Sequence, residues 1–157
     1  MRLISAASGT EALEDAATLL RQAGLKATPQ RLAVLRELAG DQTHPTAQEL
    51  YERLSAAFPS LSVATVYNTL AALTRVRRCR PLELGGPLRF DPNVEPHDHA
   101  VCERCGSIRD VPLASASEGS AAMSGEAARA TGFRVQRVER IYRGLCAACA
   151  EPPEIGQ

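Results

Sequence analysis

Five cysteines and three histidines are the residues of this sequence best equipped for chemistry. Cys102 and Cys105 form one Cys-x-x-Cys pair, and Cys146 and Cys149 form another. Two such pairs are the usual signature of a tetrahedral four-cysteine zinc site. Zinc takes four soft ligands at about 2.3 Å, and a turn with two intervening residues aims two thiolates at one ion. One ion would then clamp the segment around Cys102 to the C-terminal end of the chain. Redox chemistry of a thioredoxin-like Cys-x-x-Cys, or plain buried thiols, are the competing readings. A zinc deaminase fits poorly, because it would show His-x-Glu ahead of Pro-Cys-x-x-Cys. Here His97-Asp98-His99 stands upstream and Val101 precedes Cys102. Cys79 is left over as a lone thiol with no partner in the sequence, and a redox role for it stays open.

Two of the three histidines lie in Pro96-His97-Asp98-His99. In an extended chain, residues two apart share a face, so His97 and His99 can meet one metal. Asp91 and Asp110 lie nearby in sequence. Mixed imidazole and carboxylate donors suit Fe²⁺, Mn²⁺ or Zn²⁺ and disfavour soft Cu(I). The chain thus offers one all-thiolate set and one harder, exchangeable set. The plainer alternative is a pair of loop histidines without a role. His44, in Thr43-His44-Pro45-Thr46, reads on the residues alone as a solvent-facing residue ahead of a helix cap.

The elements that must position these groups follow from periodicity. Residues 1–9 read as a loose start and Glu151–Gln157 as a loose tail. Ala12, Leu13, Ala16, Leu19 and Leu20 fall at helical spacing over 11–23, and Gly24 closes the pattern. Thr28-Pro29 is an N-cap with Pro at the first helical position, opening a helix to Gly40. A third helix starts at Thr46, with Glu49 completing a capping box and Leu50, Leu54 and Phe58 facing the core. Ser62 caps a fourth, over Val63 to about Val76. This run of short helices suggests helix-turn-helix architecture. Residues 79–91 read as a hairpin around Gly85-Gly86-Pro87, able to form a wing. Strands are expected at 98–102 and 107–111, an Ala-rich helix over 115–131 ended by Gly132, and a strand over Phe133–Tyr142.

Pro92–Pro96 reads as a hinge. The chain is then a first unit over 1–91, a hinge over 92–96, and a second, metal-binding unit over 97–157. Charge follows that division. Residues 1–90 hold 11 Lys+Arg and 8 Asp+Glu, a balance of +3, and residues 91–157 hold 7 and 10, a balance of −3. Chains of 157 residues can bury a core without disulfides, here built from Leu, Val, Ile and Ala because aromatics are few and Trp is absent. No apolar run would span a membrane and the N-terminus lacks a signal-peptide pattern. The expectation is a cytoplasmic protein with reduced thiols and no membrane partner.

Several segments together resemble the ferric uptake regulator family. They are Gly24-x-x-x-Thr28-x-Gln30-Arg31, His44-Pro45-Thr46-Ala47, Ser62-Val63-Ala64-Thr65-Val66-Tyr67-Asn68-Thr69-Leu70, and Arg89-Phe90-Asp91. His97-x-His99-x-x-Cys102-x-x-Cys105-Gly106 and Cys146-x-x-Cys149 complete the set. Their order matches the family over about residues 10–150. The resemblance implies an α+β protein: an N-terminal winged helix-turn-helix domain, then a C-terminal α/β dimerisation domain with a four-cysteine zinc site. It implies a homodimer on a palindromic double-stranded DNA operator, with Ser62–Leu73 as recognition helix. Arg31, Ser62, Thr65, Tyr67, Asn68, Arg75 and Arg78 become candidate DNA contacts, with Lys26, Arg77 and Arg80 as further phosphate cations.

The resemblance is strongest to the peroxide-sensing, PerR-like branch. Its regulatory set is His, Asp, His, His and Asp in that order, supplied here by His44, Asp91, His97, His99 and Asp110. Iron-sensing members usually carry Glu at the position of Asp91. The implied function is a repressor, not an enzyme, with structural Zn²⁺ and regulatory Fe²⁺ or Mn²⁺. Peroxide would add oxygen to His44 or His97 when iron is bound. The alternatives are an iron- or manganese-uptake regulator without a peroxide role, a small metallohydrolase using His97, His99 and Asp91, and a zinc-stapled interaction protein. The chain departs from the family in three places. Arg75-Val76-Arg77-Arg78 replaces the Gly-Leu-Val common after the recognition helix. Arg143 resembles an insertion before the last cysteine pair. Asp98 matches part of a further metal site whose histidine positions hold Pro96 and Arg137, so two metals per subunit are expected.

Overall fold

The structure, a computed structural model, describes residues 9–112, 116–136 and 138–150, with backbone alone for 9–14 and 116–121. The expected loose start and tail lie outside these residues, apart from Gly9, which opens the first helix. The chain divides into two compact units, Met1–Glu95 and Pro96–Gln157.

In the first unit, four helices precede a hairpin: α1 Gly9–Gln22, α2 Pro29–Gly40, α3 Ala47–Ser55 and α4 Val63–Arg75, then β1 Arg80–Leu82 and β2 Arg89–Asp91. Each cap legible in the sequence is made. Thr28 accepts from the Arg31 amide, Ser62 accepts from the Thr65 amide, and Thr46 with Glu49 forms a reciprocal capping box. Caps matter because the first turn of a helix leaves amides that no carbonyl of that helix can reach. The core joins all four helices and the hairpin, through residues such as Leu20, Leu35, Leu50, Leu70, Leu73 and Phe90. Leu54 and Phe58 pack at its margin, half-buried. β1 and β2 pair antiparallel around Gly85-Gly86, with Arg80 opposite Asp91 and Leu82 opposite Arg89. Helices closing on a two-stranded wing make a winged helix-turn-helix unit.

The second unit holds β3 Asp98–Cys102, β4 Ile108–Val111, α5 Ala116–Thr131 and β5 Ile141–Gly144. Its sheet runs β4-β3-β5, with β4 antiparallel and β5 parallel to the central β3. The expected start of α5 at Ser115 lies outside the described residues, and Gly132 ends the helix at φ 75°. The strand expected over Phe133–Tyr142 is a correction. Only Ile141–Gly144 is strand, residues 133–136 and 138–140 are not, and Arg137 lies outside the described residues. Alternation makes a strand only where a ladder partner exists, and β3 meets this segment from His99↔Ile141 onward. Phe133, upstream of that pairing, is 74% exposed.

Two helix ends show what a left-handed residue costs. α1 closes with a Schellman motif: the Leu25 amide donates to the Leu20 carbonyl and the Gly24 amide to that of Arg21, with Gly24 at φ 77°. α4 closes in the same way, Arg78 to Leu73 and Arg77 to Thr74, but here a non-glycine, Arg77, stands at φ 56°. The left-handed conformation costs an L-residue about 1–2 kcal/mol. Arg77→Gly should therefore stabilise the protein by about 1 kcal/mol, and Gly24→Ala should destabilise it by about 1 kcal/mol. Urea denaturation of the two variants beside the parent checks both signs.

Candidate metal centres

The four thiols of the Cys-x-x-Cys pairs meet at one end of the second unit's sheet. Cys102 ends β3, and its amide donates to the Ser107 carbonyl (2.9 Å) while the Gly106 amide donates back to the Cys102 carbonyl (2.9 Å). Gly106, at φ 71°, lets this knuckle turn sharply. The second knuckle follows β5, where the Cys149 amide donates to the Cys146 carbonyl (2.8 Å). Parallel pairing of β5 with β3, Cys102 opposite Gly144, sets the two knuckles side by side. Arg143, the apparent insertion, lies within β5 opposite Val101 and does not part them. The Arg104 guanidinium donates to the Cys149 carbonyl across the gap (2.6 Å).

All four Sγ atoms lie within 4.8 Å of one another, and Cys105 Sγ is 3.7 Å from Cys146 Sγ. A tetrahedron of sulfurs about 2.3 Å from zinc has edges of about 3.8 Å, so the donors fit that ion. The cysteines are not joined as disulfides. Their electrostatics favour a dication. The Cys146 amide, pointing at Cys102 Sγ (3.3 Å), leads the backbone donors that lower the Cys102 thiol to about 6. Cys105 and Cys146 beside it push the Cys149 thiol up to about 12. One thiolate forms readily and the last is opposed by its neighbours until a cation joins them. Cys79 is different in kind. It is buried in the first unit's core beside Thr74 Oγ1 (3.3 Å), and burial pushes it up to about 11, so it stays a packed thiol.

The harder donors are assembled in two groups, one in each unit. In the first unit, His44 is buried, correcting the solvent-facing reading, and stands at φ 56° immediately before Pro45. Its Nε2 is 3.9 Å from Oδ1 of Asp91, a fully buried carboxylate at the end of β2. The hairpin holds the His44 loop in place. Arg89 donates to the His44 carbonyl (3.0 Å) and to Glu49 (3.2 Å), and the Phe90 amide donates to the Pro45 carbonyl (2.9 Å). The capping box of α3 thus shares Glu49 with the loop that carries His44. Asp91 also accepts from the Asn93 amide (2.7 Å) and from Arg80 (3.1 Å). Arg80, expected to face phosphate, instead turns its guanidinium to a buried carboxylate.

In the second unit, His97 and His99 are buried, with Nε2 atoms 3.0 Å apart and rings edge to face. Asp110 on β4 is directly opposite His99, and its Oδ1 is 3.5 Å from His97 Nε2. Two ligands about 2.1 Å from one ion and at right angles stand about 3.0 Å apart, so the two imidazoles fit a shared metal. Asp98 points elsewhere. It is buried and accepts from Arg140 (2.8 Å) and Tyr142 (3.4 Å), so a side chain supplies its counter-charge.

The candidate DNA contacts lie along α4 and its neighbours. Ser62, Tyr67, Asn68 and Arg75 are exposed, while Thr65, Arg78 and Arg31 are half-buried. Val66, Thr69, Leu70 and Leu73, on the opposite side of the helix, enter the core. Ser62 and Thr65 hydroxyls bond each other (3.0 Å), and Arg31 donates to the Lys26 carbonyl (3.1 Å). The ion pairs of Arg89 with Glu49 and of Arg80 with Asp91 were missed by sequence reasoning. A signal existed for Arg80, because a hairpin centred on Gly85-Gly86 pairs residues 80 and 91.

A winged helix-turn-helix unit, followed by a small sheet with a four-cysteine set and a histidine–carboxylate set, defines a metal-binding protein of the winged-helix class. The profile of the ferric uptake regulator family matches residues 22–142, and this chain belongs to that family of metal-responsive regulators. It is 39% identical to the peroxide-responsive repressor PerR of Staphylococcus aureus over 140 residues, 88% of this chain and 92% of that protein. The Campylobacter jejuni peroxide stress regulator is similar in structure, with a TM-score of 0.62 at 30% identity, covering 84% of this chain and 97% of that one. The Helicobacter pylori ferric uptake regulator shares the fold, with a TM-score of 0.73 at 22% identity over 98% and 99% of the two chains. No helix among the described residues is long and apolar enough to cross a membrane.

The thiolate site makes a direct prediction. Purified protein should carry one zinc per chain, and Cys105→Ser should lose it and melt at markedly lower temperature, since the free energy of binding a structural zinc is also folding free energy. Metal release to a chromogenic chelator and a thermal melt report the two effects.

Proposed function

We propose that this protein is a homodimeric, metal-dependent DNA-binding repressor that senses peroxide. The observation that carries the reading is the donor chemistry: a soft set of four thiols together with a harder set of imidazoles and carboxylates. In this reading Cys102, Cys105, Cys146 and Cys149 hold Zn²⁺ permanently. His44 and Asp91 of the first unit join His97, His99 and Asp110 of the second on one Fe²⁺ or Mn²⁺. Ligands drawn from both units fix the angle between them, and the metal favours DNA binding by the margin with which it prefers that angle.

Bound Fe²⁺ supplies the redox chemistry that activates peroxide, which Mn²⁺ does not. An imidazole carbon of His44 or His97 takes one oxygen atom of the peroxide, the other leaving as water. The modified ring is a poorer ligand, and the first unit is released from its DNA-competent setting. Similarity to a peroxide-responsive repressor supports this branch of the family over an uptake regulator. Asp at 91, where iron-sensing members usually carry Glu, supports it as well.

DNA recognition falls to the exposed side of α4, with Tyr67 and Asn68 reading bases in the major groove and Ser62 and Thr65 beside them. Arg31, Arg75 and Arg78 hold phosphates. Dimerisation falls to the second unit. It exposes Phe133, Ile141, Tyr142 and Leu145, and β5 lies at its sheet edge, so another copy would cover apolar surface that this unit leaves open. A two-fold dimer matches a palindromic operator. Reduced thiols suit the cytoplasm, and no catalytic turnover is required of any residue.

The test is to load zinc-containing protein anaerobically with Fe²⁺ or Mn²⁺, add a small excess of peroxide, and weigh the peptides Glu37–Arg53 and Phe90–Arg104. A gain of one oxygen on His44 or His97 with iron alone is expected. Unchanged histidines at confirmed iron occupancy would reject peroxide sensing in favour of an iron- or manganese-uptake regulator. For DNA reading, Asn68→Ala should weaken binding about tenfold, within the 1–3 kcal/mol of one base contact. Fluorescence anisotropy with a duplex selected by the Mn²⁺-loaded parent measures it.

A further inference from the structure

The proposed ligand Asp91 does not wait for a metal without a counter-charge. Its side chain is fully buried. Oδ2 accepts from Arg80 Nη2 at 3.1 Å, while Oδ1 accepts from the Asn93 amide and faces His44 Nε2. The hairpin register places Arg80 directly opposite Asp91, so the pairing is built into the wing. The Arg80 side chain is only 15% exposed, which leaves little water to screen its charge.

Resting on the proposed ligand role of Asp91, we infer that Arg80 acts as an internal substitute for the regulatory metal, setting how much metal the protein needs before it responds. In the metal-free state the guanidinium pairs with a carboxylate withdrawn from water, and removing one partner of a buried ion pair is strongly unfavourable. That lowers the free energy of the metal-free state. A dication held by Asp91 would share that carboxylate with the guanidinium, and repulsion between the two cations would raise the free energy of the bound state. Both effects weaken metal binding. Arg80 also holds Oδ2, leaving Oδ1 as the oxygen turned towards His44. Affinity held down in this way keeps the site exchangeable while the thiolate site stays permanent. Arg80 is a positioning and affinity-setting residue, acting through Asp91.

The sign of the effect separates this role from a merely structural one. Removing a structural prop would loosen the site and weaken metal binding. Removing a competing cation strengthens it. The experiment uses full-length, zinc-loaded protein and Mn²⁺ alone as the probe, with affinity measured by competition against a fluorescent chelator. Arg80→Gln should bind Mn²⁺ about tenfold more tightly than the parent, and its Mn²⁺-free form should melt at lower temperature. Arg80→Lys keeps the charge but loses the planar fork, so it should bind about threefold more tightly. It also carries the test if Arg80→Gln does not fold. Equal or weaker Mn²⁺ binding by either variant, with zinc content and far-ultraviolet circular dichroism unchanged, would overturn the inference. Asp91→Ala is the control. Loss of the Mn²⁺ site in that variant without a gain in the Arg80 variants rejects the role of Arg80 alone. Retention of Mn²⁺ binding by Asp91→Ala rejects the ligand role of Asp91, and with it this inference.

Discussion

Negative charge withdrawn from water must be matched by a cation, and this constraint organises both units. Asp91 is fully buried at the end of the wing and is answered by Arg80. Asp98 is buried in the second unit and is answered by Arg140. The four thiols at the sheet end have one member that ionises readily and another that resists, a conflict that a dication resolves. The metal chemistry is the same requirement expressed with ions in place of side chains.

The wing has a second part in this scheme beyond any contact with DNA. β2 supplies three consecutive residues with three different tasks. Arg89 grips the His44 carbonyl and the capping Glu49, Phe90 enters the core, and Asp91 faces His44. A left-handed histidine is uncommon, and strained backbone persists where surrounding bonds over-determine it. Those bonds come from the hairpin and from the N-terminus of α3. The helix-turn-helix core, the wing and the imidazole of His44 are therefore one mechanical assembly, which is what a ligand-responsive DNA-binding unit requires.

Much of this was legible in the sequence because its signals are local. Thr28, Thr46 with Glu49, and Ser62 each satisfy amides within three or four residues, so helix starts could be read directly. The cysteine pairs were legible for the same reason, since each knuckle closes on itself through backbone hydrogen bonds. Resemblance supplied His44, whose neighbours alone suggested an exposed residue. The strand expected from Phe133 onward was misread because alternation reports a possible face, while a strand needs a partner. The partner, β3, is distant in sequence and meets only the end of the segment.

By itself the sequence determined the helices and their caps, the hairpin centred on two glycines, the two thiol knuckles and the donor types of both metal sets. These follow from bonds and spacings spanning a few residues. Tertiary structure alone decided the rest. Parallel β3–β5 pairing brought the knuckles together, the sheet register set Asp110 against His97 and His99, and burial turned His44 inward. It also gave Arg80 to Asp91 in place of phosphate. The reason is physical: each of these depends on which surfaces leave water together, and that is a property of the packed chain.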